Sequence, residues 1–389
     1  MSSHLEAVAT DPYYPVPDID SKPLSLHVQQ IGKSYGSHSV INELSLDIEA
    51  GSFVALLGPN GSGKTTLLRI LAGIEKPQQG RVYYDGIDVT DLPVQERKVA
   101  FVYQQYVNYP SMSVFENIAS PLRVGKEKLS ESQIREKVRE VSELLGLTRV
   151  LQQLPEEVSG GQRQRCAIAR ALVKDARFIF LDEPLANLDY KLREELRTEL
   201  KQIFKRRDGV VVYATPEPID ALMMASHVAY IHEGAIMQYG EVMDVYRNPS
   251  HAAVGKYFCH PQMNLIPCEV ERSDGDCLIR ASAEIAFKVE LADEKVENGR
   301  YTLGIRPHHL TLSDPQNRLI PFRATVELAE VVGSDTELHL KHEDLQLTLL
   351  MQQVEQFPVG EKVIVYLDPN YIFLFESGGG AFVAGTNPG

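Results

Sequence analysis

Four short runs between Phe53 and Ala214 are apolar at nearly every position: FVALL (Phe53–Leu57), VAFVY (Val99–Tyr103), FIFL (Phe178–Leu181) and VVVYA (Val210–Ala214). Strands apolar on both faces belong in a buried parallel sheet. Between them the period changes from two to about 3.6. Ile134, Val138, Val141 and Leu145 share one helical face behind a Ser130/Gln133 capping box, and Gly146 ends the run. Leu192, Leu196, Leu200 and Phe204 form a second such face. Strands alternating with helices predict an α/β domain over residues 24–246.

After Asn264 the helical period disappears. YTLGIR, FRATVELAEVV, TELHLKH, LQLTLLM, KVIVYL and YIFLF read as short strands of an all-β barrel or sandwich over 264–376, reached through a linker at 247–263. Residues 1–23, with four prolines and no periodicity, and the Gly-rich 377–389 are expected to be flexible tails. No apolar run approaches the roughly 18–20 residues of a membrane-spanning helix. The N-terminal residues lack the pattern of a secretory leader. Cys166, Cys259, Cys268 and Cys277 show no metal-ligand spacing and read as buried thiols.

The 389 residues carry a net charge of −14, and from Met263 onward 10 Lys and Arg face 20 Asp and Glu. That balance disfavours nucleic acid as a partner, because neutralising phosphates needs a basic surface.

The chemistry is concentrated in three places. Gly58-Pro59-Asn60-Gly61-Ser62-Gly63-Lys64-Thr65 matches G-x-x-x-x-G-K-[ST], follows a strand and opens the helix TTLLRILAG, beginning at Thr65 and Thr66. Its glycines let backbone N–H groups curl around phosphates, Lys64 offsets their charge, and the Thr65 hydroxyl suits Mg²⁺. The second place is the end of FIFLDE, where Asp182 suits a metal-holding carboxylate and Glu183 suits activation of water. The third is Ser159-Gly160-Gly161-Gln162, a turn at a helix start that is either an ordinary N-cap or a second anion cradle.

In order and spacing these strings resemble the ATP-binding subunit of ATP-binding cassette (ABC) transporters over roughly residues 25–260. The resemblance implies a P-loop ABC-type nucleotide-binding domain followed by a C-terminal OB-like (TOBE) domain. It implies ATP and Mg²⁺ as cofactors, with Thr65, Gln104 and Asp182 at the metal. VSGGQ (Val158–Gln162) is similar to the signature that covers the ATP of a partner chain. Gln104 matches the Q-loop, Ala186-Asn187-Leu188-Asp189 the D-loop, and Tyr35 the aromatic that stacks on adenine. The resemblance also implies a head-to-tail dimer, two permease subunits, a solute-binding protein and a place on the cytoplasmic face of the inner membrane. It is nearest to importers of the maltose/glycerol-phosphate type, in particular to the ATPase chains of glycerol importers.

One position departs from the family pattern. Pro216 stands where the family carries a switch histidine, and it offers neither a side-chain donor nor a backbone N–H. His227, eleven residues on, reads as a surface strand residue. Two arrangements are open: an asymmetric pair with a histidine-bearing ATPase chain, or a homodimer in which Glu183 suffices. A poorly hydrolysing regulatory subunit is the alternative function. A DNA-repair or translation ATPase and an exporter fit the composition and the β-domain less well. Gly304-Ile305-Arg306-Pro307 resembles a recurring string of the importer β-domain, where it implies dimer contact and regulation. His308 and His309 are expected on a strand, pointing to opposite faces. Tyr106, Val107, Tyr109, Pro110 and Met112 are either internal packing or, by the resemblance, a groove for a permease helix.

Overall fold

The computed structural model describes residues 24–124, 129–174, 176–186, 188–205, 209–273, 276–291 and 296–386. The tail expected at 1–23 and Asn187 of the D-loop string lie outside them, as do residues 387–389.

The first domain runs β1 (Leu24–Tyr35), β2 (His38–Glu49), β3 (Phe53–Leu57), α1 (Lys64–Ala72), β4 (Gln79–Tyr84), β5 (Ile87–Asp88), β6 (Val99–Val102), α2 (Val114–Val124), α3 (Glu131–Leu144), α4 (Gly160–Leu172), β7 (Phe178–Asp182), α5 (Tyr190–Lys205), β8 (Val210–Thr215), α6 (Pro218–Met224), β9 (His227–His232), β10 (Ala235–Glu241) and α7 (Val242–Arg247). Each of the four apolar runs is a strand of one sheet, ordered β10-β9-β3-β8-β7-β6. The pairs β9/β3, β3/β8, β8/β7 and β7/β6 are parallel, so their C-terminal ends share one edge. Every residue of β3, β7 and β8 is buried, which explains their unbroken apolar character. A second, antiparallel sheet, β2-β1-β4-β5, packs its Leu26, Val28 and Ile48 into a core shared with α1. His227 does begin a strand, β9.

The helices end where their residues dictate. Ser130 caps α3, with its side chain on the Gln133 N–H and the Gln133 side chain on the Ser130 N–H, and Gly146 leaves the helix at φ 63°. The apolar face of α5 is buried through Leu196, Leu200 and Phe204.

The expected linker is a structured joint. It contains α8 (Ala252–Tyr257), and Ala252, Cys259 and Met263 pack against Phe373 and Phe375.

The second domain is all strand: β11 (Asn264–Ser273), β12 (Asp276–Arg280), β13 (Ala286–Glu290), β14 (Gly299–Ile305), β15 (Leu310–Thr311), β16 (Ile320–Val332), β17 (Asp335–His342), β18 (Leu345–Met351), β19 (Lys362–Leu367), β20 (Ile372–Glu376) and β21 (Phe382–Gly385). They form two antiparallel sheets, β13-β12-β11-β14-β20-β21 and β15-β19-β16-β17-β18, around one core that includes Leu303, Leu338, Val365 and Leu374.

Two expectations are corrected here. The tail expected from residue 377 is ordered through β21, which pairs with β20, because Phe382 has an apolar cluster to join. His308 and His309 lie in a 3-10 turn (Pro307–His309) and not on a strand. Pro307 fixes φ for such a turn, and the two rings meet edge to face at 4.3 Å instead of pointing apart. Burial and the neighbouring Arg306 hold His308 below its ordinary pKa; burial, His308 and Arg306 push His309 down to about 4. All four cysteines are buried and unpaired in disulfides.

Candidate functional site

The loop from Gly58 to Gly63 leaves β3 at the C-terminal edge of the sheet and turns into α1. Its glycines are required by space and by φ. A Cβ on Gly58 would stand 2.2 Å from the Ile231 carbonyl oxygen, and Gly61 and Gly63 sit at φ 81° and 104°. Lys64 is buried at 4% exposure, and its Nζ donates to the carbonyls of Gly58 (2.9 Å) and Pro59 (3.0 Å). The loop is thus curled around its own lysine. Burial lowers the Lys64 pKa, and Glu183 and Asp182 oppose that shift. Ser62 Oγ is buried without a partner.

β7 lies two strands from β3, with β8 between them, and delivers the acids to the same edge. Thr65 Oγ1 donates to Asp182 Oδ1 at 2.8 Å. Glu183 lies 3.7 Å from Lys64 and accepts from Gln104 Nε2 at 2.9 Å. Burial raises the pKa of both acids, against the nearby Lys64 charge. Glu183 sits at φ 45°, a left-handed conformation costly for a residue with a Cβ, and its N–H donates to the Ala214 carbonyl at 3.0 Å. A basic side chain, a hydroxyl, two carboxylates and an amide therefore meet where the loop and the helix N-terminus present backbone N–H groups. This set suits a polyphosphate and its metal: the hydroxyl and carboxylate of Thr65 and Asp182 are hard oxygen donors already in contact. Among the described residues no cluster of three or more His, Cys, Asp or Glu could hold a metal by itself. A Mg²⁺ here would take its remaining ligands from phosphates and water, as this ion commonly does.

Tyr35 stands at the rim, 48% exposed. Its hydroxyl donates to Glu75 (2.6 Å), and Lys33 lies 5.4 Å from its ring centroid. Thr66 is close enough to lower the phenol pKa by hydrogen bonding, although burial and Glu75 raise it overall.

Ser159 caps α4. Its Oγ accepts from the Gln162 N–H at 3.2 Å while its own N–H donates to Gln162 Oε1 at 2.9 Å. Gly160 and Gly161 open the helix, and a Cβ on Gly161 would meet Leu192 of α5 at 2.1 Å. Among the described residues no hydrogen bond joins this turn to the loop around Lys64. Asp189 caps α5, its Oδ1 accepting from the Leu192 N–H at 3.0 Å.

Pro216 follows β8 directly, and its carbonyl accepts from the Tyr257 hydroxyl at 2.7 Å. The segment lines a cleft of about 790 Å³ together with Tyr246, Lys256 and His308. Neither Tyr257 nor the buried Asp220, Arg197 and Tyr213 behind the same turn are legible in the sequence. Their pairing is across elements and has no local spacing.

Comparison with known proteins agrees with this geometry. Residues 41–186 match the ABC transporter family model, and residues 303–375 match the TOBE domain model. The sn-glycerol-3-phosphate import ATP-binding protein UgpC of Pectobacterium atrosepticum is 35% identical over 91% of this chain and 98% of its own. The chain belongs to the ABC transporter ATP-binding proteins. The α-glucoside transport ATP-binding protein AglK of Rhizobium meliloti is 33% identical over 92% of this chain and 99% of its own. Among solved structures, the ATP-binding cassette MJ0796 bound to ADP and Pi is 29% identical, with a TM-score of 0.51 over 56% of this chain and 98% of that one. As a member of this family the cassette is an ATPase coupled to transport. No described helix is long and apolar enough to cross a membrane.

Proposed function

We propose that the cassette powers an importer of a carbohydrate or polyol, with glycerol as the specific solute, and that it works beside a second ATPase chain. The relatives named for glycerol-3-phosphate import and α-glucoside transport support the solute class. In this reading Tyr35 stacks on the adenine, and Gly58 to Thr66 cradle the phosphates. Thr65, Asp182 and Gln104 would hold Mg²⁺, which would supply neutralisation of phosphate charge. Glu183 accepts a proton from the attacking water. Ser159 to Gln162 and Asp189 reach the ATP of the partner chain. Val107, Tyr109 and Met112 are exposed at 37–55%, with Pro110 exposed beside them and Tyr106 half-buried, and together they give the permease an apolar surface. The cassette then lies peripherally on the cytoplasmic face of the inner membrane, with two permease subunits and, indirectly, a solute-binding protein.

The observation that carries the pairing is Pro216, which leaves the family's histidine position without a side-chain donor. Loss of one positioned polar group at a phosphoryl transition state costs roughly 10²–10³ in rate. Pro216→His retains the carbonyl that Tyr257 holds, so the exchange can be made without freeing the turn. The test is steady-state ATPase activity of the purified chain, with Glu183→Gln as the blank. Tight ATP binding with little turnover, rising by at least about tenfold in Pro216→His, supports the asymmetric pair. Wild-type turnover that vanishes in the blank and does not rise in Pro216→His establishes a working homodimer instead.

A further inference from the structure

The turn after β8 is fastened from behind by a buried cluster outside the nucleotide site. Asp220, in the first turn of α6, is 2% exposed. It accepts from Arg197 Nε at 2.6 Å, from the Tyr213 hydroxyl at 2.9 Å and from Thr215 Oγ1 at 2.9 Å. Thr215 Oγ1 in turn accepts from the Glu217 N–H at 3.0 Å. With Tyr257 on the Pro216 carbonyl, three consecutive residues are held by protein groups alone.

The cluster reaches both halves of the chemistry. On one side, the Glu183 N–H is bonded to the Ala214 carbonyl, one residue before Thr215. On the other, Arg197 lies on α5, the helix capped by Asp189. A buried Arg–Asp pair is weak evidence for stability, since apolar residues of similar volume often do as well. Here, however, the acceptor oxygens of Asp220 are directed at the strand end, the turn and the helix together. Among the described residues no hydrogen bond or ion pair joins Lys64 or Thr65 to the cluster, so these links bear on the aim of Glu183 more than on nucleotide affinity.

We propose that Asp220 is a positioning residue for ATP hydrolysis: through Thr215 and Arg197 it locks the 215–217 turn to the Asp189-capped helix and so aims Glu183. The turn is then preset by the protein, in a chain whose Pro216 offers the nucleotide no side chain to hold.

Thr215→Val removes the hydroxyl at nearly constant volume, and Thr215→Ser restores it. In the full chain Thr215→Val should lower kcat at least about tenfold while KM for Mg·ATP stays within about twofold, and Thr215→Ser should recover most of the loss. Arg197→Lys keeps the charge but loses the planar fork. By hydrogen exchange it should speed exchange of the Ala214, Thr215 and Glu217 amides at least about tenfold, although among the described residues no hydrogen bond joins Arg197 to them. The exchange measurement needs no turnover, so it decides the matter even if the chain's own site is slow, an outcome that bears only on the proposed pairing. Unchanged exchange in Arg197→Lys overturns the proposal. So does a Thr215→Val loss of kcat that Thr215→Ser fails to rescue, or a folded Thr215→Val enzyme with wild-type kcat.

Discussion

Lys64 is held by two carbonyls of its own loop, so the ammonium is placed before any phosphate arrives. A charge-assisted hydrogen bond is worth about 1.5–3 kcal/mol, and Lys64→Ala should weaken Mg·ATP binding roughly 10- to 100-fold, read by calorimetric titration. Binding within twofold of wild type would mean that the backbone N–H groups suffice. Glu183 carries a prediction in pH. Burial raises its pKa, and only the ionised form can accept a proton from water. The rate should therefore fall as pH drops through a value above the ordinary glutamate range, shared in part with Asp182 because the two acids interact. Stability moves the other way: a carboxyl with a raised pKa favours the folded state most below its unfolded pKa, and that contribution is lost as pH rises through the folded value. A kcat profile whose acid limb sits at or below the ordinary range would remove Glu183 as the base. The chemical groups at this scale were legible in the sequence because the P-loop string specifies its own backbone path. Asp220 and Tyr257 were not, since their partners lie 23 residues away on α5 and 41 residues away after β8.

At the scale of elements, the four buried strands could be read almost to the residue, because an unbroken apolar run bounded by polar or turn residues marks a strand buried on both faces. β11, β12 and β13 are not among the strings read as strands, and β11 carries Pro267. A proline argues against a central strand, yet β12 pairs only with Glu269–Ser273, so Pro267 sits where that side of β11 has no partner needing its N–H. The 3-10 turn at Pro307–His309 reads as strand in the sequence because it interrupts β-rich sequence for only three residues. Gly58 approaches the backbone of β9 closely. Gly58→Ala forces a Cβ onto the Ile231 carbonyl, which is backbone and cannot rotate away. We expect a loss of about 1–3 kcal/mol in denaturant unfolding, with nucleotide binding weakened as the loop shifts. A variant as stable as wild type would show that β9 can yield.

For the whole molecule, the joint between the domains matters most. Arg306, 2% exposed, lies with its guanidinium 3.8 Å from the Tyr246 ring centroid and 4.9 Å from that of Phe373, and donates to the Tyr246 carbonyl. It links α7 to the β-domain without any ion pair among the described residues. An ammonium cannot stack in this way. Arg306→Lys should therefore cost about 1–2 kcal/mol at the joint and split calorimetric unfolding into two transitions; a single unshifted transition would mean that the domains are coupled elsewhere. Two domains of different class were legible from the change of period at Asn264, whereas the joint was not, because its members come from three distant stretches of sequence.

One of those stretches is residues 380–382. The Ala252 N–H donates to the Gly380 carbonyl and the Phe382 N–H to the Ser250 carbonyl, so residues 250–252 are pinned by residues 380–382. A growing chain emerges from the ribosome N-terminus first, and domains generally fold in that order. The ATPase domain, its loop and its acids are all made some 130 residues before the strand that closes the joint exists. During that interval a nascent chain carries the nucleotide-site residues without the strand that pins residues 250–252, and this part of the joint forms only once residues 380–382 have been made.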